Sequence, residues 1–172
     1  MRLIAVVAHP DDAEIWCGGT LLLHAQKGDI VRICNLSYTQ DSIRGKEGQT
    51  SAKLLGCEVE FLGLEDTAIR DINESVEKLS KSLHSFRPDT IITHWYDDWH
   101  PDHEASFNLV RRSLLRLYLQ YPKNYRHTFA RIYCCDTYHS LGLRGAFRPN
   151  RIMDITDVWD KKIAAIKAHK SQ

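Results

Sequence analysis

With 172 residues, 43% of them apolar and 26% charged, the chain has the material for one core of ordinary size and is too apolar for a disordered segment. Its 23 basic residues against 22 acidic ones exclude a nucleic-acid stripe or an anionic-membrane patch as the main business and favour a small-molecule partner. No apolar run approaches the ~20 residues of a membrane span or has the layout of a secretory leader, and Cys17, Cys34, Cys57, Cys134 and Cys135 show no C-x-x-C spacing, so the chain reads as cytoplasmic, with reduced, mostly buried thiols.

Leu3–Ala8 predicts a buried strand and Ile15–Lys27 a helix stopped by Gly28, followed by a second strand at Ile30–Leu36. A polar loop from Ser37 to Asp41 leads to a helix over Ile43–Leu55, ended by Gly56, and a third strand at Glu58–Leu62. Asn73 is the expected cap of a helix running to Ser85, and Asp89–Thr93 reads as a fourth strand. Asp102 opens a helix through Leu119; Ala130–Cys135 is a fifth strand, Ile152–Ile155 a short sixth, and Thr156 caps a last helix to His169. Tyr121–Thr128 and Ser140–Asn150 read as surface loops. Strands alternating with helices predict a Rossmann-like three-layer α/β/α fold, its mostly parallel sheet in the order 3-2-1-4-5 plus a short extra strand. No repeat or linker divides the chain, so 1–172 is expected to be one domain.

Two polar clusters stand out against this frame. AHPDDAE, residues 8 to 14, follows the first strand, and HWYDDWHPDH, residues 94 to 103, follows the fourth. In that strand order the first and fourth strands are neighbours astride the point where the order reverses, which is where ligands bind in open sheets of this kind. Imidazole nitrogen and carboxylate oxygen together suit Zn2+, and a catalytic zinc takes three protein ligands and leaves a position open. His9 and Asp12 are spaced so that a tight strand-to-helix turn folds both onto one ion, and His103 is the natural third ligand from across the crevice. Asp11 then remains as a carboxylate able to take a proton from water. The outline is that of a hydrolase.

On AHPDDAE with Gly18-Gly19-Thr20, on HPDH, and on Arg44-x-x-Glu47, Leu62-Gly63-Leu64-x-Asp66, Asp98-x-His100, Asp154-Ile155-Thr156, the Lys161-Lys162 pair and His169-Lys170-Ser171-Gln172, the chain resembles the LmbE-like, or PIG-L-like, family of zinc-dependent deacetylases. That family acts on N-acetylglucosamine-containing compounds. The resemblance implies His9, Asp12 and His103 as zinc ligands, Asp11 as general base, and His100 as the histidine that stabilises the oxyanion as imidazolium, with Asp102 orienting or charging it. It also implies Arg44, Asp66 and Asp98 as substrate contacts, and Glu14 as a supporting residue outside the chemistry. Family members commonly continue beyond the SQ at which this sequence stops, so either a shortened form or a more open site is expected. Tyr138-His139 stands where the family more often has Glu after the tyrosine, which removes one expected contact.

Plainer readings compete at several positions. Asp11 and Asp12 alone would serve as caps for the helix that begins near Ala13. His94 is read first as a strand-end packing residue, with a role in the site as the alternative, while His24, His84, His127, His139 and His169 have no ligand-like neighbours in sequence. Trp95, Tyr96 and Trp99 either line a sugar-stacking wall or shield their own loop. Gly18 and Gly19 read as room for close helix approach, since carboxylates at that turn repel phosphate. The leading expectation is a zinc-dependent N-deacetylase acting on an amino-sugar substrate, with no nucleic-acid partner, no stable membrane insertion and a homo-oligomer as one option for assembly. The alternatives are a metal-dependent amidase or phosphoesterase on another small molecule, and a non-catalytic, receiver-like metal-binding domain with oxygen-only coordination.

Overall fold

The computed structural model describes residues 1–120 and 130–172, so the loop expected at Tyr121–Thr128 lies outside the described residues. Five strands, β1 (Arg2–Val7), β2 (Ile30–Ser37), β3 (Glu58–Leu64), β4 (Thr90–Thr93) and β5 (Arg131–Cys134), form one parallel sheet in the order β3-β2-β1-β4-β5. β1 takes the centre because its run LIAVV can be buried on both faces, as an inner parallel strand requires. Ile4, Val6 and Ala8 enter one core with side chains of α4 (Asn73–Phe86) and α5 (Pro101–Gln120), such as Leu79, Leu83 and Leu109. Leu3, Ala5 and Val7 enter the other, against α1 (Asp12–Trp16), α2 (Gly18–Gln26), α3 (Ile43–Leu55) and α6 (Trp159–Ile166). Helices therefore cover both faces, and the three-layer expectation holds. Val7 pairs with Asn35 and Val6 with Thr93, so the chain leaves β1, β2 and β4 at one level of the same sheet edge.

Several local expectations need correction. The helix expected over Ile15–Lys27 is two helices, because α1 begins already at Asp12 and Cys17, at φ −138° and ψ 8°, separates it from α2. Asn73 is the first residue of α4 and not its cap; Ile72 holds that position, with no side-chain cap bond. The short sixth strand at Ile152–Ile155 does not form. Ile152 and Met153 are exposed there, and a Cβ placed on Gly19 would stand 2.6 Å from Ile155 Cγ2, so Ile155 packs onto α2 through the space that glycine leaves. The polar stretch before it bridges elsewhere, with Asp98 opposite Gly142 and Leu141 opposite Ala146, and β5 stays at the sheet edge. Thr156 begins a short 3-10 turn, Thr156–Val158, that leads into α6.

The C-terminal segment closes the layer behind α1. Lys162 Nζ donates to the Ile15 carbonyl at 2.8 Å, where α1 has orphan acceptors. His169 Nε2 lies 3.5 Å from Glu14 Oε1, which also accepts from Ser51 Oγ at 2.5 Å, and all three residues are buried. Ser171 donates to both carboxylate oxygens of Glu47, through N–H at 3.0 Å and Oγ at 2.6 Å.

Candidate metal centre

The turn after β1 is built to aim carboxylates at one point. Asp11 adopts φ 119°, a left-handed conformation that costs a non-glycine residue on the order of 1–3 kcal/mol. That twist lets the His9 N–H donate to Asp12 Oδ2 at 2.8 Å and sets Asp12 at the start of α1, fully inside the protein. The second cluster arrives on the loop from β4 and the first turn of α5, where Pro101 fits the first helical position because its missing N–H would have no partner anyway. β1 and β4 are paired neighbours, so residues 9–12 and 94–103 meet.

Their meeting point is Asp12. His9 Nδ1 lies 3.2 Å from Asp12 Oδ2, and His103 Nε2 lies 3.4 Å from Asp12 Oδ1. The opposite nitrogen of each ring is held by a second carboxylate. His9 Nε2 faces Asp102 Oδ2 at 3.2 Å and Asp66 Oδ1 at 3.1 Å; His103 Nδ1 faces Asp98 Oδ2 at 3.0 Å. An N–H donated to those outer carboxylates leaves the lone pairs of His9 Nδ1 and His103 Nε2 directed at Asp12, which is the tautomer pair that metal-ligating histidines use. Potential ligand atoms of His9, Asp12 and His103 all lie within 4.8 Å of one another, and all three residues are buried. Two rival sets, His94 with Asp98 and His103, and His9 with Asp66 and Asp102, meet the same distance. They lack Asp12 and rely on the carboxylates that hold the outer ring nitrogens.

Electrostatics tie the imidazoles and the carboxylates to one another. Burial alone would raise Asp12, yet His94, His103 and His9 hold it well below the usual carboxylate range. Burial would lower His9 and His103, but their carboxylate partners hold His9 above its ordinary value and His103 up at about 9. Asp11 is pushed up to about 6 by burial and by the neighbouring Asp12 charge, against the pull of Arg44. Asp11, Asp12, Asp66, Asp98 and Asp102 thus crowd around a few imidazoles, a set that favours a bound cation. Two nitrogens and an oxygen facing one buried point are the donor chemistry of a catalytic zinc site.

Asp11 stands beside this set without facing it in the same way. Its Oδ1 lies 3.2 Å from Arg44 Nη2, which also donates to the Pro10 carbonyl at 2.9 Å. Arg44 Nη1 donates to Tyr38 Oη at 3.2 Å, and Tyr38 Oη donates in turn to Asp66 Oδ2. α3 can come this close because Gly45 packs on the Thr39 carbonyl and Gly48 on Pro10 and Phe61. Arg44, expected at the substrate, is therefore engaged with the turn itself. Asp66, a third exposed, combines a contact to His9 with an open side.

Two further expectations are displaced. Asp98, expected to touch substrate, is buried behind His103 and accepts the His100 N–H at 2.9 Å. The Asp102 carboxylate does not reach the His100 ring: it accepts from His9 Nε2 and from the Ile69 N–H at 3.2 Å, while the Asp102 backbone N–H donates to His100 Nδ1 at 3.2 Å. Burial and the neighbouring His103 and His9 rings hold His100 below its ordinary value, opposite to the expected imidazolium. His94 takes a larger part than a packing residue. It accepts the Ala8 N–H at Nε2 (3.0 Å), lies 3.2 Å from Asp12 Oδ2, and stacks on His103 with ring centroids 3.7 Å apart. Tyr38 joins the site without a motif to mark it, and Tyr138, noted in the sequence only for the residue that follows it, lies nearly parallel to His103 at 6.0 Å. The one sequence signal that could have found Tyr38 is its place in the polar Ser37–Asp41 loop, at the carboxyl end of β2.

Residues 4–114 match the family described as PIG-L: GlcNAc-PI de-N-acetylase. Over 227 aligned residues the chain is 26% identical to a 1D-myo-inositol 2-acetamido-2-deoxy-alpha-D-glucopyranoside deacetylase of Mycobacterium sp. (strain KMS), with 99% of this chain and 74% of the relative covered. It is 24% identical, over 98% of its length and 73% of the relative's, to the 4-oxalmesaconate hydratase of Pseudomonas putida. Among solved structures it resembles the N,N'-diacetylchitobiose deacetylase of Pyrococcus horikoshii at a TM-score of 0.77 and 28% identity, covering 99% of this chain and 70% of that one.

Proposed function

From its membership of the PIG-L, or GlcNAc-PI de-N-acetylase, family, we propose that this chain is a metal-dependent hydrolase that removes the acetyl group from an N-acetylglucosamine-type compound. The observation that carries the reading is the convergence of His9 Nδ1, His103 Nε2 and Asp12 on one buried point, each imidazole backed by a carboxylate. His9, Asp12 and His103 would hold Zn2+, which supplies Lewis acidity towards an amide carbonyl and acidifies water.

The chain's own residues divide the remaining tasks. Asp11 accepts the proton of the attacking water and returns it to the leaving amine, and Arg44, 3.2 Å away, orients that carboxylate. His100 receives the Asp102 N–H on Nδ1, so its proton sits on Nε2, and a neutral Nε2–H donates to the oxygen on which negative charge develops. Asp98 and Asp102 hold the ligand imidazoles in tautomer and direction. Asp66, with a third of its side chain exposed, offers its carboxylate to sugar hydroxyls beside His9. The activity is assigned to one domain spanning 1–172 and working in the cytoplasm; among the described residues no helix is long and apolar enough to cross a membrane.

The hydratase relative shares the need to activate water, and product analysis separates the two chemistries. Zinc-loaded protein is incubated with N-acetylglucosamine glycosides and, separately, with 4-oxalmesaconate. Release of equal amounts of acetate and primary amine is expected. Hydration of the unsaturated acid without acetate release from any glycoside would replace this reading.

A further inference from the structure

An aromatic surface borders the cluster on the His103 side. The Trp16 and Tyr138 rings meet edge to face with centroids 5.0 Å apart, Trp99 lies 5.8 Å from Tyr138, and Trp99 also lies 5.9 Å from His100. Half of Trp99 and more than a third of Tyr138 stay open to solvent, although apolar rings of this size gain most from being covered. The wall expected from sequence divides here. Trp95 is buried against Phe147, Tyr96 packs on Phe107, and only Trp99 turns to the site.

The chain spends strain to hold Tyr138 in place. His139 and Ser140 both adopt left-handed backbone, at φ 56° and 53°, and Asp136 pins the turn by accepting the Thr137 N–H and Ser140 Oγ, each at 2.8 Å. The segment that follows is strapped to the loop carrying His100. Asp97, itself buried, accepts Arg144 N–H at 3.1 Å and Arg144 Nε at 2.7 Å through its carboxylate, while its carbonyl accepts the Leu143 N–H at 3.1 Å. A Cβ on Gly142 would stand 2.2 Å from the Asp97 carbonyl oxygen, so the strap needs glycine there. A preset aromatic face loses little entropy when a ring settles on it.

Resting on the deacetylase reading of the same site, we propose that Trp16, Tyr138 and Trp99 form a ring-binding subsite that takes the apolar face of a second ring joined to the amino sugar. That ring is either the C–H face of a further pyranose or an aryl group; the shared chemistry is a flat apolar face. Asp66, on the His9 side, takes the hydroxyls of the sugar whose amide is cut. The subsite thereby favours a substrate bearing a second ring over a simple methyl glycoside.

The test compares acetate release from the methyl glycoside of N-acetylglucosamine, its phenyl glycoside, and diacetylchitobiose, by zinc-loaded wild type and Trp99→Ala, Tyr138→Ala and Tyr138→Phe variants. Wild type should prefer one or both ring-bearing substrates in kcat/KM, and the two alanine variants should lower that preference about 3- to 10-fold through KM, as expected for loss of an aromatic contact. Tyr138→Phe should retain the preference, because the ring face and not the hydroxyl makes the contact. Preference for diacetylchitobiose alone identifies the pyranose face, and preference for the phenyl glycoside alone the aryl group. Equal kcat/KM for all three substrates in wild type, or a Tyr138→Phe loss as large as that of Tyr138→Ala, overturns the subsite. Should no glycoside release acetate, the deacetylase reading fails, and calorimetric titration of metal-free protein with the methyl and phenyl glycosides still decides the subsite: tighter phenyl binding that Trp99→Ala abolishes supports it, and equal binding overturns it.

Discussion

Each imidazole proposed as a ligand has a buried carboxylate behind it, and that pairing makes a prediction separate from the ligands themselves. Asp98→Ala would leave the His103 Nδ1–H without its acceptor, and Asp102→Ala would remove one of the two carboxylates at His9 Nε2. Each should weaken zinc binding by about 10- to 100-fold, measured by competition against a chromophoric chelator, with the larger loss at Asp98 because His9 keeps Asp66. Wild-type affinity in both variants would show that these carboxylates do not position the ligands. At this scale the sequence was legible in residue types: a His-x-x-Asp after one strand and a second histidine-aspartate cluster after another bring nitrogen and oxygen donors together. What spacing could not tell was the direction of a side chain within a loop. Asp98 and Asp102 both sit in HWYDDWHPDH, and only folded geometry turns the first to His103 and the second to His9 while Asp102's backbone reaches His100. His94 escapes sequence reading for the same reason, since stacking on His103 with ring centroids 3.7 Å apart leaves no periodic mark.

Among the elements, α3 shows how packing overrides propensity. Replacing glycine by alanine within a helix ordinarily stabilises it by up to about 1 kcal/mol. At Gly45, however, the new Cβ would stand 2.0 Å from the Thr39 carbonyl oxygen, which is backbone and cannot swing aside. Gly45→Ala should therefore destabilise the protein by roughly 1–3 kcal/mol, as overpacking does, and should also shift Arg44 away from Asp11. A urea midpoint equal to or above that of wild type would contradict the close approach of α3 to the 39–40 backbone. Helix and strand periodicity was enough to foresee nearly every element, because the two faces of β1 and the stripes of α4 and α5 must all be apolar to make two cores. The misses fall where tertiary contact decides. The split at Cys17 follows a turn strained at Asp11, and the apolar residues of Ile152–Ile155 predict a strand, whereas Ile155 packs in the gap above Gly19.

For the whole molecule, strand order does the assembling: β1 and β4 lie side by side, and histidines nearly a hundred positions apart share one carboxylate. A metal that ties these two segments together should stabilise the fold as well as the site. At a free zinc concentration of 100 Kd the gain is about 2.7 kcal/mol, or roughly 5–10 °C in Tm for a chain of this size. Differential scanning calorimetry of metal-free and zinc-loaded protein should show that rise in wild type and its absence in Asp12→Asn. Loss of the shift in wild type would mean that the two segments do not close on a common ion. The central claim, that Asp12 holds metal while Asp11 moves the proton, is tested most directly by measuring zinc content and acetate release on the same samples of Asp11→Asn and Asp12→Asn. Asp11→Asn should keep stoichiometric zinc and lose activity by about 10²-fold or more, whereas Asp12→Asn should lose the zinc itself. Equal zinc content and equal residual activity in the two variants would contradict it.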